Sequence, residues 1–193
     1  INQLVSDVHS QFTSPAELKG ISVMLDLPEG EIFASVDREK VCKIIVNLIG
    51  NAVKYAQSRI DIKLVSSDEG FRVSVSDDGP GIPDVEKRKV FEAFYQVKDG
   101  KSGAVGTGIG LAFSKSLAEA HHGTLSLEDS VYGGSSFVLT LPWGEEAVSE
   151  EPEVVIPDGR EAADEEQGTE LSGSKFTILL VEDNVDLLNL TRE

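Results

Sequence analysis

Three short stretches, far apart in the chain, hold side chains and bare backbone that suit one class of ligand. NLIGNAVKY (residues 47–55) spaces Asn47, Asn51 and Lys54 by four and three, neighbouring positions on one helical face. Amide oxygens can ligate Mg2+, Lys54 can pair with phosphate, and Tyr55 can flank a purine ring. DDGPGIP (77–83) puts a carboxylate, Asp77, at the end of an alternating strand, with a tight glycine turn behind it. Such a group can accept a hydrogen bond from the exocyclic amine of adenine. Guanine presents a carbonyl there, so the wrong base leaves a buried acceptor unpaired. GTGIGLA (106–112) is a glycine-rich loop entering an apolar helix, whose first N–H groups can cradle a polyphosphate. Each stretch alone has a plainer reading: a solvated helix face for Asn47, Asn51 and Lys54, or a simple Asp-Asp-Gly turn with Asp78 in solvent. Together, in this order, they predict a site for a purine nucleoside triphosphate.

These groups need elements to position them. Residues 1–19 read as an amphipathic helix with Ile1, Leu4, Val5, Val8 and Phe12 on one side and Pro15 near its end. Residues 21–27 and 32–36 read as short strands. Asp37 is a good N-cap for a helix running to about Ala56. Residues 59–66 and 71–76 predict a hairpin, followed after the DDGPGIP turn by a short helix over 85–94. Residues 98–106 (KDGKSGAVG) have the composition of a lid. A helix over 108–121, with Ile109, Leu111, Ala112, Leu117 and Ala118 at core spacing, leads to a closing hairpin (124–127 and 136–141) around Gly133-Gly134, and the ordered domain ends near Pro142.

Composition bounds the rest. The 193 residues are 40% hydrophobic, enough for a core, and no apolar run nears the roughly 20 residues that span a bilayer. The chain opens without Met and without a signal peptide, which suggests a cytoplasmic fragment of a longer protein. Its one cysteine, Cys42, cannot form an internal disulfide and reads as a buried small hydrophobe. The net charge of −17 argues against direct nucleic-acid binding. Between Glu145 and Glu170 lie eleven acidic residues and one basic, Arg160, so this stretch carries −10 and the remainder −7. Residues 144–174, acidic and without aromatics, read as a disordered linker. Order is expected to resume in 175–193, where TILLV reads as a strand followed by Glu182 and Asp183.

The order NLIGNAVKY, DDGPGIP, VFEAFYQV, GTGIGLA resembles the N box, first glycine box, phenylalanine box and second glycine box of sensor histidine kinases. The resemblance covers roughly residues 1–143. It implies an α/β sandwich of the Bergerat type, with a mixed sheet of about five strands and three main helices on one face. By position, Asn51 would be the main Mg2+ ligand and Asn47 a second metal or phosphate contact. Lys54 would hold phosphate, Tyr55 would pack on adenine, and Asp77 would bind its amine. Gly79 and Gly81 would shape the base pocket, with Ile82, Phe94 and Leu111 completing it. Phe91 and Phe94 would anchor a lid formed with Gly106, Gly108 and Gly110, Thr107 would add a hydroxyl, and Lys98 or Lys101 would reach the γ-phosphate.

In gyrase B and related ATPases of the same superfamily, a glutamate in place of Asn47 activates water. Its absence here favours phosphoryl transfer over hydrolysis. The acceptor in such kinases is a histidine on a helical dimerisation domain; His9, His121 and His122 do not resemble it, so residues 1–19 would be the end of that hairpin or its linker. KFTILLVEDNVDLL is similar to the opening of a receiver domain, in which Glu182 and Asp183 would help hold Mg2+ once the domain is complete. These resemblances imply the catalytic part of a hybrid kinase using ATP and Mg2+. By family habit the parent would be a homodimer anchored in the inner membrane, with this domain on the cytoplasmic side, and the fragment a monomer. A nucleotide-binding module without transfer activity, or an ATPase of the gyrase type, are the alternatives.

Overall fold

The helices form where apolar residues recur at helical spacing, and in one of them a polar side chain closes the first turn. In the computed structural model, which describes residues 1–97 and 107–144, helix α1 (Asn2–Glu17) buries Leu4, Val5, Val8 and Ala16. Helix α2 (Arg38–Tyr55) starts at Asp37, whose side chain accepts from the Lys40 backbone N–H at 3.0 Å. That hydrogen bond holds the Asp37 carboxyl below its usual range. The inner stripe of α2 is Val41, Ile44, Ile45, Leu48, Ile49 and Ala52. Helix α3 (Gly110–Ala120) buries Ala112, Leu117 and Ala118.

Five strands alternate in the same way: β1 (Ser22–Asp26), β2 (Arg59–Ser66), β3 (Gly70–Asp77), β4 (Thr124–Asp129) and β5 (Ser135–Pro142). Their order across the sheet is β1-β2-β3-β5-β4. β1 pairs parallel with β2, joined through α2, and the other pairs are antiparallel. Ile60, Ile62 and Leu64 of β2, Phe71, Val73 and Val75 of β3, and Phe137, Leu139 and Leu141 of β5 are buried in one core with the helices. The expected two-layer sandwich, with three helices on one face of a mixed sheet, is what forms.

Two local expectations are corrected. Residues 32–36 are not a strand: Ile32 is buried, its N–H donates to the Asn2 side chain at 2.8 Å, and Ser35 makes a backbone bond to Trp143 O at 2.9 Å. The segment is extended, but side-chain and isolated bonds satisfy it in place of a ladder. The helix expected over 85–94 is a series of turns ending in a single 3₁₀ turn, Lys89–Phe91, with Val90 its buried residue. Helix α1, expected as the end of a hairpin or its linker, packs on the domain. Its apolar side is built into the same core as α2 and β2. Among the described residues no helix is long and apolar enough to cross a membrane.

Candidate nucleotide site

The C-terminal half of α2, the end of β3, the start of β5 and the start of α3 converge on a cleft of about 280 Å³. That volume is near the lower end of ligand pockets, about 300–1,000 Å³, and suits a base with its phosphates reaching outward. Asn47, Asn51, Lys54, Tyr55, Asp77, Gly81, Ile82, Thr107, Gly108, Gly110 and Leu111 all line it, as expected from sequence. Gly79 and Phe94 stand just behind the lining. Lys98, Lys101, Gly106, Glu182 and Asp183, like the linker and the receiver-like tail, lie outside the described residues.

Asp77 is the floor. It is 3% exposed, and its Oδ1 accepts from Gly79 N–H at 2.8 Å and Ser135 N–H at 3.3 Å. Burial pushes its carboxyl above the usual range, partly offset by those two donors, with the Asp78 charge adding to the rise. Both bonds fall on Oδ1, which leaves Oδ2 to meet a ligand. Two glycines make this packing possible. A Cβ on Gly79 would stand 2.8 Å from Asp77 Oδ1 and 2.6 Å from Tyr55 O, and one on Gly134 would stand 2.4 Å from the same carboxylate oxygen. Gly134 was invisible as a site residue in the sequence, where it reads only as a turn.

Asp78 corrects an expectation. Rather than pointing to solvent, it caps the loop between α2 and β2. Oδ1 accepts from the N–H groups of Gln57 (2.8 Å), Ser58 (3.0 Å) and Arg59 (3.1 Å), and Oδ2 from the Ser58 hydroxyl (2.6 Å). Burial opposes ionisation, but the donors of Ser58, Arg59 and Gln57 outweigh it and hold the carboxyl far below the ordinary range.

The phosphate-facing side is built from helix faces. Asn47 Nδ2 donates to Ser114 Oγ of α3 at 2.8 Å, which fixes the orientation of its amide; a Cβ on Gly110 would stand 2.4 Å from its Oδ1. The Lys54 ammonium lies over the Tyr55 ring, 4.5 Å from its centroid. Pro80, Val90, Tyr95, Gln96, Val97, Ser135 and Phe137 also line the cleft, and sequence reading had not singled them out. Phe91 meets Phe137 edge-on, ring centroids 6.3 Å apart. At the mouth, Phe94 N–H donates to Gly108 O at 3.0 Å. Both residues hold positive φ, 64° and 72°. An added Cβ on Gly108 would stand 2.8 Å from Phe94 C, so glycine is required there by conformation and by space.

His121 is buried. Its Nδ1–H donates to Leu117 O at 2.7 Å and its Nε2 accepts from Asp37 N–H at 3.2 Å, so the ring is neutral and both nitrogens are engaged. It ties the end of α3 to the start of α2 and offers no nitrogen to a phosphoryl group.

The family described as histidine kinase-, DNA gyrase B- and HSP90-like ATPase matches residues 36–145. The sensor histidine kinase TmoS of Ectopseudomonas mendocina is 32% identical over 213 aligned residues, which take in 100% of this chain but 22% of TmoS. Two solved structures have this fold. The catalytic domain of histidine kinase ThkA superposes with a TM-score of 0.65 at 26% identity, over 73% of this chain and 92% of that one. Full-length ShkA in complex with AMPPNP gives 0.65 at 29% identity, over 75% of this chain and 30% of that one. The chain belongs to the histidine kinase-, DNA gyrase B- and HSP90-like ATPase family, and its described residues form an ATP-binding catalytic domain of the sensor histidine kinase type.

Proposed function

We propose that this domain binds ATP with Mg2+ and transfers the γ-phosphoryl group to a histidine on a separate dimerisation domain, for relay to an aspartate of a receiver domain. One observation carries the reading: a buried carboxylate, Asp77, closes the base end of a cleft whose other side is Asn47, Asn51 and Lys54. Asp77 accepts from the adenine amine, Tyr55 packs on the purine, and Lys54 pairs with phosphate. Gly79 and Gly81 leave room for the base, and Thr107, Gly108 and Gly110 face the phosphates. The resemblance assigns Gly106, and Lys98 or Lys101 at the γ-phosphate, to the same end; these three lie outside the described residues.

Asn47 and Asn51 stand one turn apart on α2 and offer neutral hard oxygens. That donor set suits Mg2+, which keeps much of its shell as water and phosphate oxygen. Ser114 orients the Asn47 amide through its NH2, and the family resemblance makes Asn51 the principal ligand and Asn47 a second contact to metal or phosphate. The bound ion would neutralise charge on the phosphates. Among the described residues lining the cleft Asp77 is the one carboxylate, and it sits at the base end. With no carboxylate at the position of Asn47 to activate water, the site favours an external nucleophile. In the transfer, a P–N bond forms at the acceptor imidazole as the bond from Pγ to the β,γ-bridging oxygen breaks and ADP leaves.

The stretch KFTILLVEDNVDLL, similar to the opening of a receiver domain, supports reading residues 175–193 as the start of one. There Glu182 and Asp183 help hold Mg2+ once the domain is complete. The same reading makes the parent a homodimeric hybrid kinase with this domain on the cytoplasmic side, and the fragment a monomer.

The test supplies labelled ATP and Mg2+ to the domain together with a histidine-bearing dimerisation domain. Acid-labile, base-stable phosphate on that domain is expected. No phosphohistidine, with steady phosphate release instead, would turn the reading to an ATPase.

A further inference from the structure

The outer face of the sheet, opposite the helices, carries a cluster that the nucleotide reading leaves unused. Arg59 at the start of β2 donates through Nε and Nη2 to the two oxygens of Asp61, at 2.9 and 3.0 Å. Its guanidinium lies over the ring of Tyr132, 4.6 Å from the centroid, and the Tyr132 hydroxyl donates to Asp61 Oδ2. Tyr132 belongs to the turn between β4 and β5, and that turn is closed tightly. Tyr132 N–H donates to Ser130 Oγ at 3.2 Å, Gly133 N–H to Ser130 O at 2.9 Å, and Ser130 N–H to Gly134 O at 3.0 Å.

Two and three positions after Tyr132 stand the residues that touch the base-binding carboxylate. Gly134 lies where a Cβ would strike Asp77 Oδ1, and Ser135 N–H donates to that oxygen. At the other end of the cluster, Arg59 N–H is held by Asp78. The turn behind Asp77 is therefore fastened, from outside the sheet, to the strand start that Asp78 secures. Anything that lets the turn drift moves the donors on Oδ1, and with them the direction of Oδ2.

We propose that Tyr132, supported by Asp61 and Arg59, is a positioning residue for purine recognition: it fixes the β4–β5 turn that holds Asp77 and so sets the carboxylate against the amine of the base. The proposal rests on the adenine role of Asp77.

Calorimetry of ATP and ITP binding, with Mg2+, tests it on the wild-type chain and on Tyr132→Ala, Tyr132→Phe, Asp77→Asn and Lys63→Ala. ITP carries the same phosphates but lacks the amine. Misdirecting a positioned group costs affinity without removing a contact, so Tyr132→Ala should weaken ATP about three- to tenfold and leave ITP near its wild-type value. Tyr132→Phe keeps the ring over Arg59 and loses only the hydroxyl bond, so it should fall between. Lys63→Ala breaks the 2.8 Å pair with Asp26 on β1, which lies outside the cluster, and should behave as wild type. Unchanged ATP affinity in Tyr132→Ala, or equal weakening of ATP and ITP, overturns the proposal. Should Asp77→Asn itself keep the full preference for ATP over ITP, the adenine assignment of Asp77 fails first. A selectivity ratio does not depend on the folded fraction, so partial unfolding of a variant cannot imitate the expected result.

Discussion

The two ends of the cleft are built on different principles. The base end is assembled from strand termini and turns, with Asp77 locked by two backbone donors, Asp78 bracing the neighbouring loop and bare glycine backbone filling the space between. The phosphate end is a helical face, Asn47, Asn51 and Lys54, opposite a glycine-rich start of α3. One end is fixed before a ligand arrives. At the other, Ser114 holds the Asn47 amide, and in the proposed reading the phosphates and ion would complete the set. Preorganisation here is invested in recognising the base, where a misplaced acceptor is most costly.

The contrast can be broken most forcefully at its phosphate end. Asn51→Ala should cost on the order of 100-fold in Mg2+-dependent ATP affinity by calorimetry while leaving the melting temperature unchanged. A variant that binds as before would remove Asn51 from its assigned role. At the base end the same kind of deletion should act on the fold. Asp78→Ala strips the partners from three loop N–H groups and a hydroxyl, and should destabilise the domain by about 2–3 kcal/mol in urea titration. Because the Asp78 carboxyl sits below its unfolded value, its contribution is present above the ordinary carboxylate range and disappears as pH falls through and below that range. Wild type and Asp78→Ala should therefore converge in acid.

Asp77 sharpens the comparison, because function and stability should move in opposite directions. Asp77→Asn should reduce ATP-over-GTP discrimination about tenfold, since an amide answers the exocyclic amine poorly. It should also raise the melting temperature of the nucleotide-free domain at neutral pH. The folded carboxyl titrates above its unfolded value, so the folded state binds more protons in that window and stability falls as pH rises through it. Asparagine escapes that penalty, and the gap between variant and wild type should close as pH drops. The smallest effect expected is Lys54→Ala, a loss of about threefold to fivefold in ATP affinity that shrinks with added salt, as an exposed ionic contact should. A salt-independent loss would point instead to the cation stacked on Tyr55.

Much of this was legible in the sequence where local rules agree. α2 announced itself through an Asp N-cap and a continuous apolar stripe, and the β2–β3 and β4–β5 hairpins through alternation across turn residues. Asn47, Asn51, Asp77 and the second glycine box could be placed because each sits in a recognisable local context. What escaped depended on partners distant in the chain. Asp78 looks like half of a turn until Gln57, Ser58 and Arg59, about 20 residues earlier, are seen to donate to it. The role of Gly134 exists only because Asp77 lies behind it. Residues 32–36 show an apolar pattern that mimics a strand, yet the Ile32 N–H goes to the Asn2 side chain and the Ser35 N–H to a single carbonyl of Trp143. Periodicity records which side is buried and is silent on what receives the hydrogen bonds.

The attachments of α3 have a mechanical consequence. His121 fastens its rear to the first turn of α2, and Ser114 fastens its second turn to Asn47. With two anchor points along eleven residues, the helix cannot tilt without breaking one of them. Nucleotide entry that kept both bonds intact would leave α3, and the Asn47 amide that Ser114 holds, where they stand.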